Sequence, residues 1–292
     1  MGRLILNADD FGLTSGVNRA IMELHRLGVL TSTTLMAQAP ASSEAIEMSR
    51  ATPSLGVGCH VVLVDGDPVL SPRREIPHLA DALTGRFNPT LGGFLGDWFR
   101  HWLSGNQLAF FKEIEAEAAA QIALLQSRGV QLTHIDTHKH THMFPAVLRP
   151  ILRAARAAGI RAVRNPFEPA WSVLATSGAD PIRRVEVSLL RRLEPAFRRI
   201  VSEEGFTTTD GTIGILATGS LDQIVLDSLL AEMPEGTWEL VTHPGYRDDD
   251  LARAHTRLLG SREMERRSLQ KLRDFAGIER ISFAGLTGLS AS

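Results

Sequence analysis

The sequence predicts a single parallel α/β domain with its functional site at the C-terminal ends of the strands. Two observations carry this reading. Short apolar runs alternate along the chain with segments of helical periodicity, and three of those runs end in clusters of aspartate and histidine. The 292 residues fit one large α/β barrel or two modest domains. No linker, internal repeat or low-complexity stretch divides them, so residues 1–292 are read as one domain.

The elements follow in order. Leu4-Ile5-Leu6 is a buried strand that runs into Asn7-Ala8-Asp9-Asp10. Val17, Ile21 and Leu24 mark a helix from about Ser15 to Leu27, stopped by Gly28. Thr33 to Met36 is a second strand, and Ser42 or Ser43 is placed to cap a helix that ends before Pro53. Gly56 to Leu63 is a third strand, apolar except for His60. From about residue 64 to 106 the pattern breaks into a long excursion with four prolines and a cluster of aromatics, Phe94, Trp98, Phe99 and Trp102. It reads either as a lid over the site or as a packing insertion.

Regularity returns with a helix from Glu113 to Arg128 and a strand from Val130 to Ile135 that leads into Asp136-Thr137-His138-Lys139-His140-Thr141-His142. Pro145 opens a helix to Ala158 that Pro150 is expected to kink, and Ile160 to Val163 is the next strand. Residues 170–205 read as basic helices with a solvated charged face. Strands at 212–216 and 238–242 follow, the latter ending in His243-Pro244-Gly245-Tyr246. A helix over 261–276 and a short strand at 281–283 complete the set.

Composition narrows the function classes. Hydrophobic residues are 43% and charged residues 22% of the chain, ordinary values for a globular protein. A formal net charge of −2 offers no general basic field for nucleic acid or a membrane surface. No apolar run approaches the roughly 20 residues that span a bilayer. The lone Cys59 cannot form an intramolecular disulfide, and the opening MGRLILNADDFG lacks the pattern of a signal peptide, so a cytoplasmic location is expected.

Chemistry is concentrated at three strand ends: Asp9-Asp10, His60, and the Asp136–His142 run. In a parallel architecture these ends converge, and two imidazoles with a carboxylate form a plausible facial set for a divalent cation. One aspartate of the pair would then bind metal and the other accept the proton of an attacking water, unless one of them merely caps the next helix. His60 alone would more often be a core histidine. Alternation in His138-Lys139-His140-Thr141-His142 would, on an extended chain, put three imidazoles on one face, of which one or two need be ligands. Asp136 is positioned to orient a ligand imidazole. His243 is a candidate general acid, with turn packing as its bland alternative.

At these residues the sequence resembles the YdjC-like carbohydrate deacetylases, a group that includes chitooligosaccharide deacetylase and a hopanoid-biosynthesis deacetylase. The matching segments are LILNADDFGLTSGVNRAI, GVLTSTTLMAQ, GVGCHVVLVDGDPVL, THIDTHKHTHMFP and VTHPGY, which span residues 4–246. The resemblance implies a distorted (β/α) TIM-like barrel that binds one divalent metal ion, magnesium or zinc. It also implies removal of acetyl from N-acetylglucosamine units of an oligosaccharide or glycolipid, the latter possible as a hopanoid intermediate. Carried over residue by residue, Asp10, His60 and His138 would ligate the metal, Asp9 would be the base, and His243 the acid or an oxyanion partner. A homodimer would suit the family. Lys139 stands where a histidine is often found, and Cys59 where larger apolar residues are common.

Two other readings compete. Another mononuclear metal hydrolase, a phosphoesterase or cyclic amidohydrolase, would share the donor set, but no phosphate-binding glycine pattern is present. A non-catalytic sugar-binding protein on the same fold would be expected to lack at least one of Asp9, Asp10, His60, His138 and His243.

Overall fold

Both long edges of β1 (Gly2–Phe11) are hydrogen-bonded to parallel neighbours, which makes it the central strand. The structure is a computed structural model that describes residues 2–254, 256–272 and 277–288. The remaining strands are β2 (Ser32–Leu35), β3 (Gly56–Val61), β4 (Leu132–Thr137), β5 (Gly211–Ile213), β6 (Thr237–Thr242) and β7 (Ile278–Arg280). Their order is β4-β3-β2-β1-β6-β5, and β7 pairs with residues 2–4 of β1. Every pairing of named strands is parallel. Leu4, Ile5 and Leu6 are all fully buried, as a strand covered on both faces requires.

The sheet is curled. Ile135 of β4 bridges Val163, Ala162 bridges Thr207, and Thr212 of β5 donates its N–H to Phe167 O at 3.1 Å. One irregular segment, 161–167, is therefore bonded to both edge strands. The expected strand at 160–163 is present only as these isolated bridges. Seven strands are defined among the described residues, so the expectation of a barrel is met as a curled, barrel-like parallel sheet.

Helices connect the strands: α1 (Ser15–Arg26), α2 (Ser42–Arg50), α3 (Leu91–Leu103), α4 (Gln107–Ser127), α5 (Pro145–Ala157), α6 (Ala170–Ala175), α7 (Pro181–Leu190), α8 (Glu194–Glu203), α9 (Gln223–Ala231), α10 (Asp249–Arg253), α11 (Ser261–Lys271) and α12 (Phe283–Leu286). Several details differ from the sequence reading. Helix α2 has Ala41 at its N-cap with no side-chain cap, because Ser42 Oγ donates instead to Met36 O at 2.6 Å. α5 continues through Pro150, and the final strand lies at 278–280, with Phe283 opening α12. The part of the predicted last helix at 273–276 lies outside the described residues. Arg183 and Arg184 are not a solvated face: they donate to backbone carbonyls of Thr218, Ile215, Val173 and Thr176, which tie α7 to the body.

Alternation along the strands sends one set of side chains into the curl of the sheet. At its N-terminal end Ile5, Ala162 and Phe283 form a small apolar cluster, and His134 stacks on Phe283 with ring centroids 3.8 Å apart. Gly58 makes room for that histidine, since a Cβ there would meet the imidazole at 2.6 Å. Above this plug the interior turns polar. The excursion is held chiefly by α4, where Glu113, Glu117 and Gln121 follow one another at four-residue spacing. Glu117 accepts from the N–H groups of Val69 and Leu70, Glu113 from those of His78 and Leu79, and Gln121 bonds both backbone groups of Val62. In α3, Phe94 is buried against Phe110 while Phe99 and Trp102 stack on each other in solvent.

Candidate active site

A β-bulge at the end of β1 solves the problem that adjacent strand residues point to opposite faces. The register with β2 shifts between Ala8 and Phe11, and Asp10 adopts a left-handed conformation, φ 66°. Both carboxylates are thereby brought toward the C-terminal mouth, and both are buried. Neither caps α1; Thr14 does, accepting from Val17 N at 3.2 Å.

Asp10 Oδ1, His60 Nε2 and His138 Nδ1 form a triangle with edges of 3.2, 3.3 and 3.6 Å. These lengths are close to the roughly 3.0–3.4 Å that separates ligands each about 2.1 Å from one ion. Asp10 Oδ1 is buried and accepts no hydrogen bond. The three donors therefore suit a divalent cation. Asp9, His60 and Asp136 are a second mutually close group, but there Arg164 is bonded to both carboxylates, which fills the space with a cation already.

His60 is oriented from behind. Its Nδ1 lies 2.8 Å from Asp136 Oδ1 and 3.1 Å from Thr34 Oγ1, leaving Nε2 toward the triangle. Burial alone would lower its pKa, but the carboxylates of Asp136, Asp9 and Asp10 lift it to about 9. A cation at the triangle would replace that proton.

The histidine run is not extended. Lys139 and His140 have φ 55° and 53°, so the chain kinks in a short 3-10 segment, and the one-face expectation fails. His138 reaches the triangle. His142 is fully buried, with Nδ1 at 2.7 Å from Thr137 Oγ1 and Nε2 at 3.2 Å from Arg164 O, so it has no atom for a substrate. His140 is half-buried, and burial pushes its pKa down to about 3. Lys139 turns outward and binds Asp65 Oδ2 at 2.7 Å and Pro89 O at 3.0 Å, tying the base of the excursion to the ligand loop.

Asp9 lies beside the triangle. Arg164 grips it at 2.6 and 2.8 Å, and burial, which would raise its carboxyl, is outweighed by Arg164, His60 and His243. Its pKa is held well below the usual carboxylate range. His243 Nε2 is 3.9 Å from Asp9 Oδ2, and Glu265 Oε2 accepts from His243 N at 2.6 Å. Burial, partly offset by Asp9 and Asp10, depresses the His243 pKa to about 4.

Sequence reasoning missed the residues that hold this set together. Arg164 has no exposed surface and contacts Asp9, Asp136 and Glu239, the last two at 2.5 and 2.6 Å. Arg262, on α11, is bonded to Asp10 Oδ2. The available signal was a charge inside an apolar run: Glu239 stands within Trp238–Thr242, and Arg164 directly follows Val163. Cys59 is buried beneath the site with its thiol pKa raised by burial, which leaves it inert.

Fold and site together define a parallel α/β protein with a cluster of aspartates and histidines at the strand ends that could hold a metal ion. The chain belongs to the YdjC-like protein family, whose model matches residues 3–275. A carbohydrate deacetylase of Brevibacillus brevis is 34% identical over 85% of this chain and 83% of its own length. A carbohydrate deacetylase of Thermoanaerobacter pseudethanolicus is 29% identical over 92% and 91%. The chitooligosaccharide deacetylase of Salmonella typhimurium is 40% identical over a shorter stretch, 54% of this chain and 57% of its own. Among solved structures, an Enterococcus faecalis protein described as a candidate cellobiose-phosphate cleavage protein superposes with a TM-score of 0.74 at 25% identity, covering 98% of both chains.

Proposed function

We propose that this protein is a metal-dependent N-deacetylase acting on an N-acetylglucosamine unit of an oligosaccharide or glycolipid, a hopanoid intermediate among the latter. The observation that carries the reading is the Asp10–His60–His138 triangle with Asp9 and His243 on its rim. The deacetylase names of the full-length relatives support it. The curled sheet supports a distorted (β/α) barrel, and the buried single cysteine fits a reducing cytoplasm.

A divalent ion held by Asp10, His60 and His138 would polarise the acetyl carbonyl and lower the pKa of a water. Two imidazole nitrogens and one carboxylate oxygen suit zinc, and magnesium is accommodated when waters complete its shell. Asp9 is ionised at neutral pH because of Arg164, and it takes the proton of the attacking water. His243 is neutral in the resting site. Asp9 Oδ2 and His243 Nε2 are 3.9 Å apart, a gap that one water bridges, so the proton gained by Asp9 passes through it to His243 and from there to the departing amine. Acetate and free amine leave with atoms and protons balanced.

The test is acetate release from di-N-acetylchitobiose and from an N-acetylglucosaminyl lipid by metal-stripped protein, with and without added zinc or magnesium. Release that requires metal and vanishes in Asp9→Asn is expected. A folded protein that releases no acetate with either ion would overturn the proposal in favour of another hydrolase or a sugar-binding role.

A further inference from the structure

The ligand triangle depends on a residue with an unusual backbone, and a cation from the far end of the chain is bonded to it. Asp10 is left-handed at φ 66°, at a bulge where neither strand pairing nor a helix cap fixes its side chain. Arg262 is bonded to Asp10 Oδ2, with 252 residues between them in sequence. The Arg262 side chain is 1% exposed. Its path to the site runs beneath the His243-Pro244-Gly245 turn. A Cβ on Gly245 would meet Arg262 Cδ at 3.2 Å and Cβ at 3.3 Å, tighter than ordinary contact, so a side chain there would push on the arginine stem. Gly245 N also donates to Arg262 O at 3.2 Å, which locks the turn to α11. One turn further along α11, Glu265 holds the backbone of His243.

We infer that Arg262 is a positioning residue for the metal site: by occupying Asp10 Oδ2 it fixes the carboxylate as a one-oxygen donor with Oδ1 toward His60 and His138. This rests on the triangle being the metal site, as proposed above. Oδ2 is engaged and Oδ1 is not, so the carboxylate has one rotation in which it serves both partners. Without Arg262 the side chain of a bulged, left-handed residue is free to turn, and a nearby cation is removed at the same time. The two consequences oppose each other. Loss of orientation weakens metal binding, as loss of other outer partners of metal ligands does by roughly 10- to 100-fold, whereas loss of a positive charge would strengthen it. The geometry assigns the first as the larger, because the direct ligand contact depends on it.

Metal binding is read by calorimetric titration of zinc, and by the visible absorption of cobalt, in the full chain as wild type, Arg262→Lys and Arg262→Met. Expected is a Kd for Arg262→Met raised roughly 10- to 100-fold with an altered cobalt spectrum, and a smaller change for Arg262→Lys, which keeps one donor. The same ratio should appear as a smaller rise in Tm on adding zinc. An unchanged or tighter Kd in Arg262→Met would overturn the inference. If that variant does not fold, an Arg262→Lys protein with wild-type Kd and spectrum does the same. His138→Ala separates the two levels: wild type that binds no zinc, or binds it equally with His138→Ala, defeats the metal-site reading itself.

Discussion

Asp136 Oδ1 lies 2.8 Å from His60 Nδ1, on the side of the imidazole away from His138 and Asp10. Paired directly across β3 and β4, the two residues are held in register by the sheet. The carboxylate thus fixes both the ring plane and the tautomer that presents Nε2 to a cation. Asp136→Asn keeps the shape but donates or accepts without charge. A fall in zinc affinity of roughly 10- to 100-fold is expected, with the fold retained by circular dichroism. Wild-type affinity in this variant would show that packing alone orients the ring.

Glu239 gives a pH dependence with a definite sign. Burial lifts its carboxyl to about 7 from an ordinary 4.5, against the pull of Arg164. The folded state therefore holds this proton more tightly than the unfolded chain. That contribution to stability is complete below about pH 4.5 and is lost as pH rises through about 7. Glu239→Gln keeps a neutral side chain at every pH. The unfolding free energy of the variant relative to wild type should climb between about pH 5 and 8, by something on the order of 1–3 kcal/mol. A difference that stays constant with pH would mean Glu239 is already ionised across the range.

Much of this site was legible because charged residues at the ends of apolar runs demand an explanation. Asp9, Asp10 and His60 each follow or interrupt such a run, and the structure brings them together with His138 and His243. What the sequence hides is backbone and closure. The left-handed turn at Asp10 carries no glycine to mark it, and the left-handed pair Lys139–His140 breaks an alternation that looked strand-like. Arg164 and Glu239 are 75 residues apart and meet only inside the curl of the sheet. Arg262 and Glu265 sit on a helix so rich in charge that it reads as solvated.

The excursion is attached by apolar side chains such as Ile76, Phe87 and Phe94 and, separately, by a polar column on α4, and the polar attachment can be cut alone. Glu117 is buried and receives two backbone N–H groups from Val69 and Leu70 together with Gln121 Nε2. Replacing it with leucine leaves those N–H groups buried without partners, at about 1–3 kcal/mol each for a group that stays dry. The segment should open before the sheet does. Hydrogen exchange at residues 62–80 of Glu117→Leu is expected to accelerate while β1 and β6 stay protected. Uniform acceleration throughout the chain would show instead that the excursion and the sheet unfold as one unit.

His243 is expected to matter according to the leaving group. An amine departing from carbon needs a proton, whereas a nitrophenolate leaves as the anion. His243 Nε2, 3.9 Å from the buried Asp9 carboxylate and 12% exposed, is the group placed to supply that proton. His243→Ala should lower kcat for an N-acetylglucosamine amide by roughly 10²- to 10⁴-fold. For nitrophenyl acetate, bound at the same metal-loaded site, the loss should be less than about tenfold, since only general-acid help is missing. Equal losses on both substrates would move His243 from proton donor to stabiliser of the charge that develops on the carbonyl oxygen, a role that both reactions share.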